Sequence, residues 1–313
     1  MKRILVCGAL GQLGSELVPA LRQLYSTEHV IASDVRGNPN DANFIQLDLL
    51  SANDTEALIA DMKIDTIFNL PAILSATAES KPDLAWNLNV TNLISILNIA
   101  TKHKVAVFTP SSIAAFGPSS KKNNAPQTTV MQPNTWYGIS KYTGELIANY
   151  YHQKYGLDTR GLRYPGIISY KTKPGGGTTD YAVDMIGAAV KKEFYRCPLN
   201  EGSRIEMMYY SDAINAAIQL MEARKESLRI RNSYNVVAFS FTPQELYNAL
   251  KVYFPTFEMV YEIDPIKQAI ADSWPNTIND NAAKNEWGWR SQVSFSEMLE
   301  DMISHLQGDN KCH

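Results

Sequence analysis

Short apolar runs and helix-spaced apolar residues alternate along the first half of the chain. Ile4-Leu5-Val6-Cys7 is apolar at every position and lacks the polar alternation of a strand with one wet face. A helical spacing follows over residues 13–24. Further strand-like runs occupy residues 30–33, 44–47, 66–70, 105–108 and 159–163. Between the last of these lie two helical stretches. Residues 87–101 carry Leu88, Leu93, Ile94, Leu97 and Ala100 at a helical period, and residues 137–155 form the second. Apolar strands separated by helices predict a parallel sheet covered on both faces, a doubly wound α/β fold of the Rossmann type.

The pattern changes after Arg163. Lys173-Pro174-Gly175-Gly176-Gly177 marks a tightly turned or flexible loop. Beyond it strands are fewer and helices dominate. The chain is therefore read as a large domain over residues 1–165 and a smaller, mainly helical lobe over 166–313. Segments such as Tyr234-Asn235-Val236-Val237 are expected to return to the large sheet.

Composition narrows the class without naming a function. Of the 313 residues, 45% are hydrophobic and 19% charged, as in an ordinary globular protein. A net charge of −3 gives no general attraction to nucleic acid or anionic lipid, so neither is expected as a partner. No apolar run approaches the roughly 20 residues of a membrane span. Met1-Lys2-Arg3 looks like the start of a signal peptide, but the apolar run ends at Gly8 and reads as a strand. A soluble cytoplasmic protein is expected. Cys7, Cys197 and Cys312 form no ligand cluster, and His29, His103, His152, His305 and His313 are scattered, so no metal site is expected.

Three motifs carry candidate chemistry. Gly8-Ala9-Leu10-Gly11-Gln12-Leu13-Gly14 lies between the first strand and the first helix. Glycines there allow a tight turn and close backbone approach to a pyrophosphate, with the N–H groups of the helix start facing it. The spacing is GxxGxxG. Asp34 ends the second strand, 20 residues beyond Gly14. Its carboxylate suits the adenosine ribose hydroxyls and repels a 2′-phosphate, which favours NAD over NADP; Arg36 pulls the other way. Asp48 and Leu49, after the third strand, are placed to meet the adenine.

Tyr137-Gly138-Ile139-Ser140-Lys141 puts a tyrosine and a lysine on one helical face. An ammonium beside a phenol favours the phenolate and suits it to take a proton. The spacing recurs at Tyr150/Lys154 and Tyr247/Lys251, which read as packing or surface pairs. Only Tyr137 opens a helix after the strand ending in Thr109-Pro110-Ser111-Ser112. A hydroxyl there, Ser112 by preference, suits the substrate oxygen. Satisfying loop backbone groups is the plainer role for both serines.

Together these residues resemble the extended short-chain dehydrogenase/reductase family. The resemblance implies that Ser112, Tyr137 and Lys141 are catalytic. It implies cofactor contacts from Gly8, Gly11, Gln12, Leu13, Gly14, Asp34, Asp48, Leu49, Asn89, Tyr137, Lys141 and Pro165. Asn89 reads equally well as a helix-start asparagine. Three stretches look like the short-chain type of L-threonine 3-dehydrogenases: Ile73-Leu74-Ser75-Ala76, Gly175-Gly176-Gly177-Thr178-Thr179-Asp180, and Asp272-Ser273-Trp274-Pro275 followed by Trp287-Gly288-Trp289. They imply substrate contacts from Ser75, Ser112, Tyr137, Gly176, Thr178, Thr179 and Trp274. Thr178, Thr179 or Asp180 serves equally as a helix cap, and Trp274 as core. Ser112 stands where threonine is usual, and Pro71 where small residues are usual. The resemblance implies NAD as cofactor, L-threonine as substrate and a homodimer. A sugar-nucleotide epimerase or dehydratase and a non-catalytic dinucleotide sensor are the alternatives.

Overall fold

A computed structural model describes residues 1–171 and 175–309. Lys173 and Pro174 of the expected glycine-rich loop lie outside the described residues, as do Cys312 and His313. The strands are β1 (Ile4–Cys7), β2 (Val30–Asp34), β3 (Phe44–Gln46), β4 (Thr66–Asn69), β5 (Ala106–Ser112) and β6 (Thr159–Tyr164). Shorter ones follow: β7 (Gly166–Ile168), β8 (Tyr195–Cys197), β9 (Ile205–Tyr209), β10 (Tyr234–Asn235), β11 (Phe239–Phe241) and β12 (Met259–Tyr261).

The central sheet has seven parallel strands in the order β10-β6-β5-β4-β1-β2-β3. From β1 the chain winds outward through β2 and β3, then crosses to β4 and winds the other way. Crossovers on opposite faces leave a crevice beyond the carboxyl ends of β1 and β4, where open α/β sheets take their ligands.

The helices are α1 (Gly14–Tyr25), α2 (Ala52–Asp61), α3 (Ser75–Ser80), α4 (Pro82–Trp86), α5 (Asn92–His103) and α6 (Trp136–Tyr155). Then come α7 (Tyr181–Lys191), α8 (Tyr210–Glu222), α9 (Pro243–Tyr253), α10 (Pro265–Asp272), α11 (Asn281–Trp287) and α12 (Phe295–Asp309). Strand β1 shows why its run is apolar throughout. Ile4 and Val6 pack with Leu17 and Leu21 of α1 and Ala217 of α8, while Leu5 and Cys7 face Ile59, Leu93 and Leu97. Both faces are covered, so no position can be polar without cost.

A third core, built from α7, α9 and α12 around Met185, Leu246 and Met298, belongs to the C-terminal lobe. That lobe was expected to be mainly helical. It also carries a three-stranded sheet, β11-β9-β7, and a two-stranded one, β12-β8. Runs of three residues such as β7, β8 and β11 are too short for periodicity to register. Among the described residues no helix is long and apolar enough to cross a membrane.

Candidate active site

A cavity of about 540 Å³ opens at the carboxyl ends of the central strands. It runs from the glycine turn after β1, past the end of β5, to Trp274. Two fully different chemistries meet in it, a backbone cradle at one end and a cluster of hydroxyls with one lysine at the other.

The cradle comes from backbone geometry. Gly8 has φ +75°, a left-handed conformation, and the Pro71 ring lies 3.0 Å from where its Cβ would stand. Gly14 is tighter still, since a Cβ there would fall 2.2 Å from the Gly8 carbonyl oxygen. Gly11 N–H donates to Gly8 O at 3.0 Å and closes the turn. Among the described residues, the N–H groups of Gln12 and Leu13 find no acceptor. Free donors at a helix start, with no side chain in front of them, fit a pyrophosphate. Gly11, Gln12, Leu13, Asp48 and Leu49 all line the cavity.

Asp34, at the end of β2, is braced before any ligand arrives. Its Oδ2 accepts from Leu10 N–H at 3.1 Å, and its Oδ1 accepts from Arg36 N–H at 3.1 Å and Arg36 Nε at 3.2 Å. Arg36 Nη2 also donates to Leu10 O at 3.0 Å, so the arginine lies along the turn.

At the other end, β5 runs through Ser112 rather than stopping at residue 108, in register with Tyr164 of β6. Helix α6 starts beside it. Thr135 Oγ1 accepts from Gly138 N–H at 3.1 Å as the cap. Gly138 lets the helix reach the turn after Ser112, because a Cβ there would sit 2.2 Å from Ala114 O. Tyr137 is thereby brought into the same cavity wall as Ser112, whose Oγ accepts from Ala114 N–H at 3.2 Å and whose hydroxyl lowers the pKa of the phenol. Lys141 Nζ donates to Pro110 O at 2.9 Å and lies 5.6 Å from the Tyr137 ring centre.

Burial works against the expectation that an ammonium beside the phenol favours the phenolate. Burial pushes the Tyr137 phenol up to about 12, with the Ser112 hydrogen bond opposing it, and pulls the Lys141 ammonium down to about 8. A desolvated site disfavours both charged forms.

Ser75, Thr178, Thr179, Pro165 and Trp274 line the cavity with the catalytic candidates. Trp274 is also core, only 5% exposed. Two expected contacts are placed elsewhere. Gly176 is not on the cavity wall, although Gly175 and Gly177 are. Asn89 is not on the wall of this cavity, and it is not a helix-start residue. It sits mid-helix, in a π turn over Asn87–Thr91 that joins α4 to α5. Its Oδ1 accepts from Ile73 N–H at 2.8 Å; its Nδ2 donates to Ile73 O at 3.1 Å and Ser140 Oγ at 3.0 Å. It pins the loop before Ser75 to Ser140 of α6, the residue before Lys141.

Asp180, expected among the helix-cap candidates, caps its turn and also lines the cavity. Its Oδ2 accepts from Gly176 N–H at 2.8 Å and Gly177 N–H at 2.6 Å, and burial raises its carboxyl. Asp34 and Asp48 lie at the cradle, which leaves Asp180 as the acid among the lining residues beside Thr178. The other tyrosine–lysine pairs are remote. Tyr150 is 49% exposed and takes a hydrogen bond from Lys154, while Tyr247 donates to Phe257 O at 3.3 Å. Among the described residues no cluster of His, Cys, Asp or Glu is arranged to hold a metal ion.

Residues 4–236 match the model of the NAD dependent epimerase/dehydratase family. An uncharacterized epimerase/dehydratase of Staphylococcus saprophyticus is 44% identical, over 99% of each chain. The fold is shared with an L-threonine dehydrogenase from Clostridium difficile at TM-score 0.96 and 46% identity, covering 99% of this chain and 98% of that one. A GalE-like L-threonine dehydrogenase from Cupriavidus necator, in its holo form, superposes at TM-score 0.94 and 46% identity, covering 97% and 99%.

Proposed function

This chain belongs to the NAD-dependent epimerase/dehydratase family of nicotinamide-dinucleotide oxidoreductases, and from that premise we propose that it oxidises L-threonine at C3, with NAD rather than NADP. The observation that carries the reaction type is one cavity holding both the Gly8–Gly14 cradle and the Ser112, Tyr137 and Lys141 set. The near full-length likeness to two L-threonine dehydrogenases supports the substrate.

The residues divide the work. Gln12 and Leu13 N–H groups take the pyrophosphate, and Asp34 takes the ribose hydroxyls and repels a 2′-phosphate. When bound, the nicotinamide accepts the hydride from C3. Tyr137 accepts the proton of the C3 hydroxyl, and Ser112 orients that oxygen. Lys141, tied to Pro110 O, supplies positive charge next to the phenol. Loss of hydride and proton from the same carbinol leaves a ketone, 2-amino-3-ketobutyrate. Asp180 is placed to meet the substrate ammonium, because it is the carboxyl at that end of the cavity. Because Tyr137 acts deprotonated, kcat/KM is expected to rise with pH through the neutral range. The enzyme is proposed to work in the cytoplasm as a homodimer built on the outer faces of α5 and α6.

The test is NADH formation from L-threonine and NAD⁺, with NADP⁺, L-serine and UDP-sugars as controls. Tyr137→Phe is expected to lose roughly 10²- to 10⁴-fold in kcat while still binding NADH. Turnover of UDP-sugars with none of threonine would move the chain to the epimerases.

A further inference from the structure

Glu145 and Arg163 form an ion pair inside the protein, each 2% exposed, directly behind the catalytic residues. Arg163 is on β6 and Glu145 on α6, one turn beyond Lys141 and two beyond Tyr137, hence on the same helical face. The contact is forked: Arg163 Nε reaches Glu145 Oε1 at 2.9 Å, and Nη2 reaches Oε2 at 2.7 Å. Arg163 Nη1 then donates to Gln127 O at 2.9 Å and Asn235 Oδ1 at 3.1 Å. A buried pair of this kind is often no more stabilising than well-packed apolar side chains. Its place in this molecule calls for another account.

That account lies in its third arm. Ser111 Oγ donates to Glu145 Oε1 at 2.6 Å, and Ser111 is in register with Arg163 across β5 and β6. Ser111 stands between Pro110, whose carbonyl receives Lys141, and Ser112, which lines the cavity with Tyr137. We propose that Ser111 and Glu145 are positioning residues for the dehydrogenase reaction, the Ser111–Glu145 hydrogen bond tethering residues 110–112 to α6 and so setting both catalytic contacts. The inference rests on the oxidoreductase reading above. The ion pair is the anchor, since Arg163 holds Glu145 against helix, strand and the Gln127 loop together. The hydroxyl is the adjustable link. Without it, the one remaining hydrogen bond between the strand end and α6 among the described residues is that of Lys141 to Pro110 O, and small displacements of reacting groups are costly in rate.

Ser111→Ala tests this without breaking the ion pair, and Ser111→Thr keeps the hydroxyl. In Ser111→Ala, kcat for threonine is expected to fall roughly tenfold to a hundredfold. Threonine KM, NADH affinity and melting temperature stay near wild type. The acid limb of the kcat–pH profile moves to higher pH, because the Ser112 hydroxyl that lowers the Tyr137 pKa is displaced from the phenol. Ser111→Thr restores both rate and profile. An unchanged kcat, a loss confined to NADH affinity, or a slower enzyme with an unmoved profile would each overturn the tether. Ultraviolet difference titration of the NAD⁺-saturated protein, with Tyr137→Phe as the blank, reads the same phenol without any substrate. If wild type does not oxidise threonine yet Ser111→Ala raises that titration, the substrate assignment fails and the tether stands.

Discussion

Gly14 has no room for a side chain, and the reason is its neighbour's carbonyl rather than a ligand. A Cβ 2.2 Å from Gly8 O forces the turn and the start of α1 apart. Gly14→Ala is therefore expected to weaken NADH binding by roughly tenfold or more and to lower the melting temperature. Fluorescence titration and a thermal melt check the two together; tight binding with a normal melt would mean the cradle is not the nucleotide site. Single residues were well marked in the sequence where backbone geometry or a fixed spacing constrains them. Gly8, Gly14, Asp34 and the Tyr137/Lys141 pair all reach one cavity. The partners of Asn89 were not legible, because Ile73 and Ser140 lie 16 and 51 residues away and side-chain partners across a fold leave no periodic trace; the capping role of Asp180 is local and was among the readings.

At the scale of elements, β9 places Glu206 where its carboxyl accepts from Ile278 N–H at 3.1 Å, and the segment so held begins at Trp274 on the cavity wall. Burial pushes Glu206 from its ordinary 4.5 up to about 7. A raised folded-state pKa means that the native protein holds a proton that the unfolded chain has already released. The associated stability is full below about pH 4.5 and is lost as pH rises through about 7. The loss amounts to roughly 3 kcal/mol. The wild-type melting temperature is expected to fall more steeply between about pH 5 and pH 8 than that of Glu206→Gln; parallel curves would show that the carboxyl is not protonated in the fold. Long elements were readable from periodicity. The exceptions are β5, extended through Ser112 by pairing with β6, and the π turn at Asn87–Thr91, which an apolar period cannot distinguish from α-helix.

For the whole molecule, α5 and α6 pack against each other and leave Ile94, Leu146 and Tyr150 on their outer faces, Leu146 53% exposed. Two apolar faces on adjacent helices suit a two-fold partner. Light scattering after size exclusion is expected to give a dimer, and Leu146→Arg a monomer. A wild-type monomer at all concentrations would remove the proposed assembly.

Sequence by itself determined the parallel sheet, the glycine turn after its first strand and the tyrosine–lysine pair. Each of these is local: a run of apolar residues buried on both faces, a turn only glycine can make, a spacing of four on one helix. Tertiary structure alone decided that Arg36 braces Asp34 and that Glu145 and Arg163 stand behind the catalytic set. It also decided the charge state of the site. Lys141 beside Tyr137 reads as an activated phenol along the chain, but removing water raises the phenol and lowers the ammonium together. Desolvation belongs to the packed fold, and no spacing along the chain encodes it.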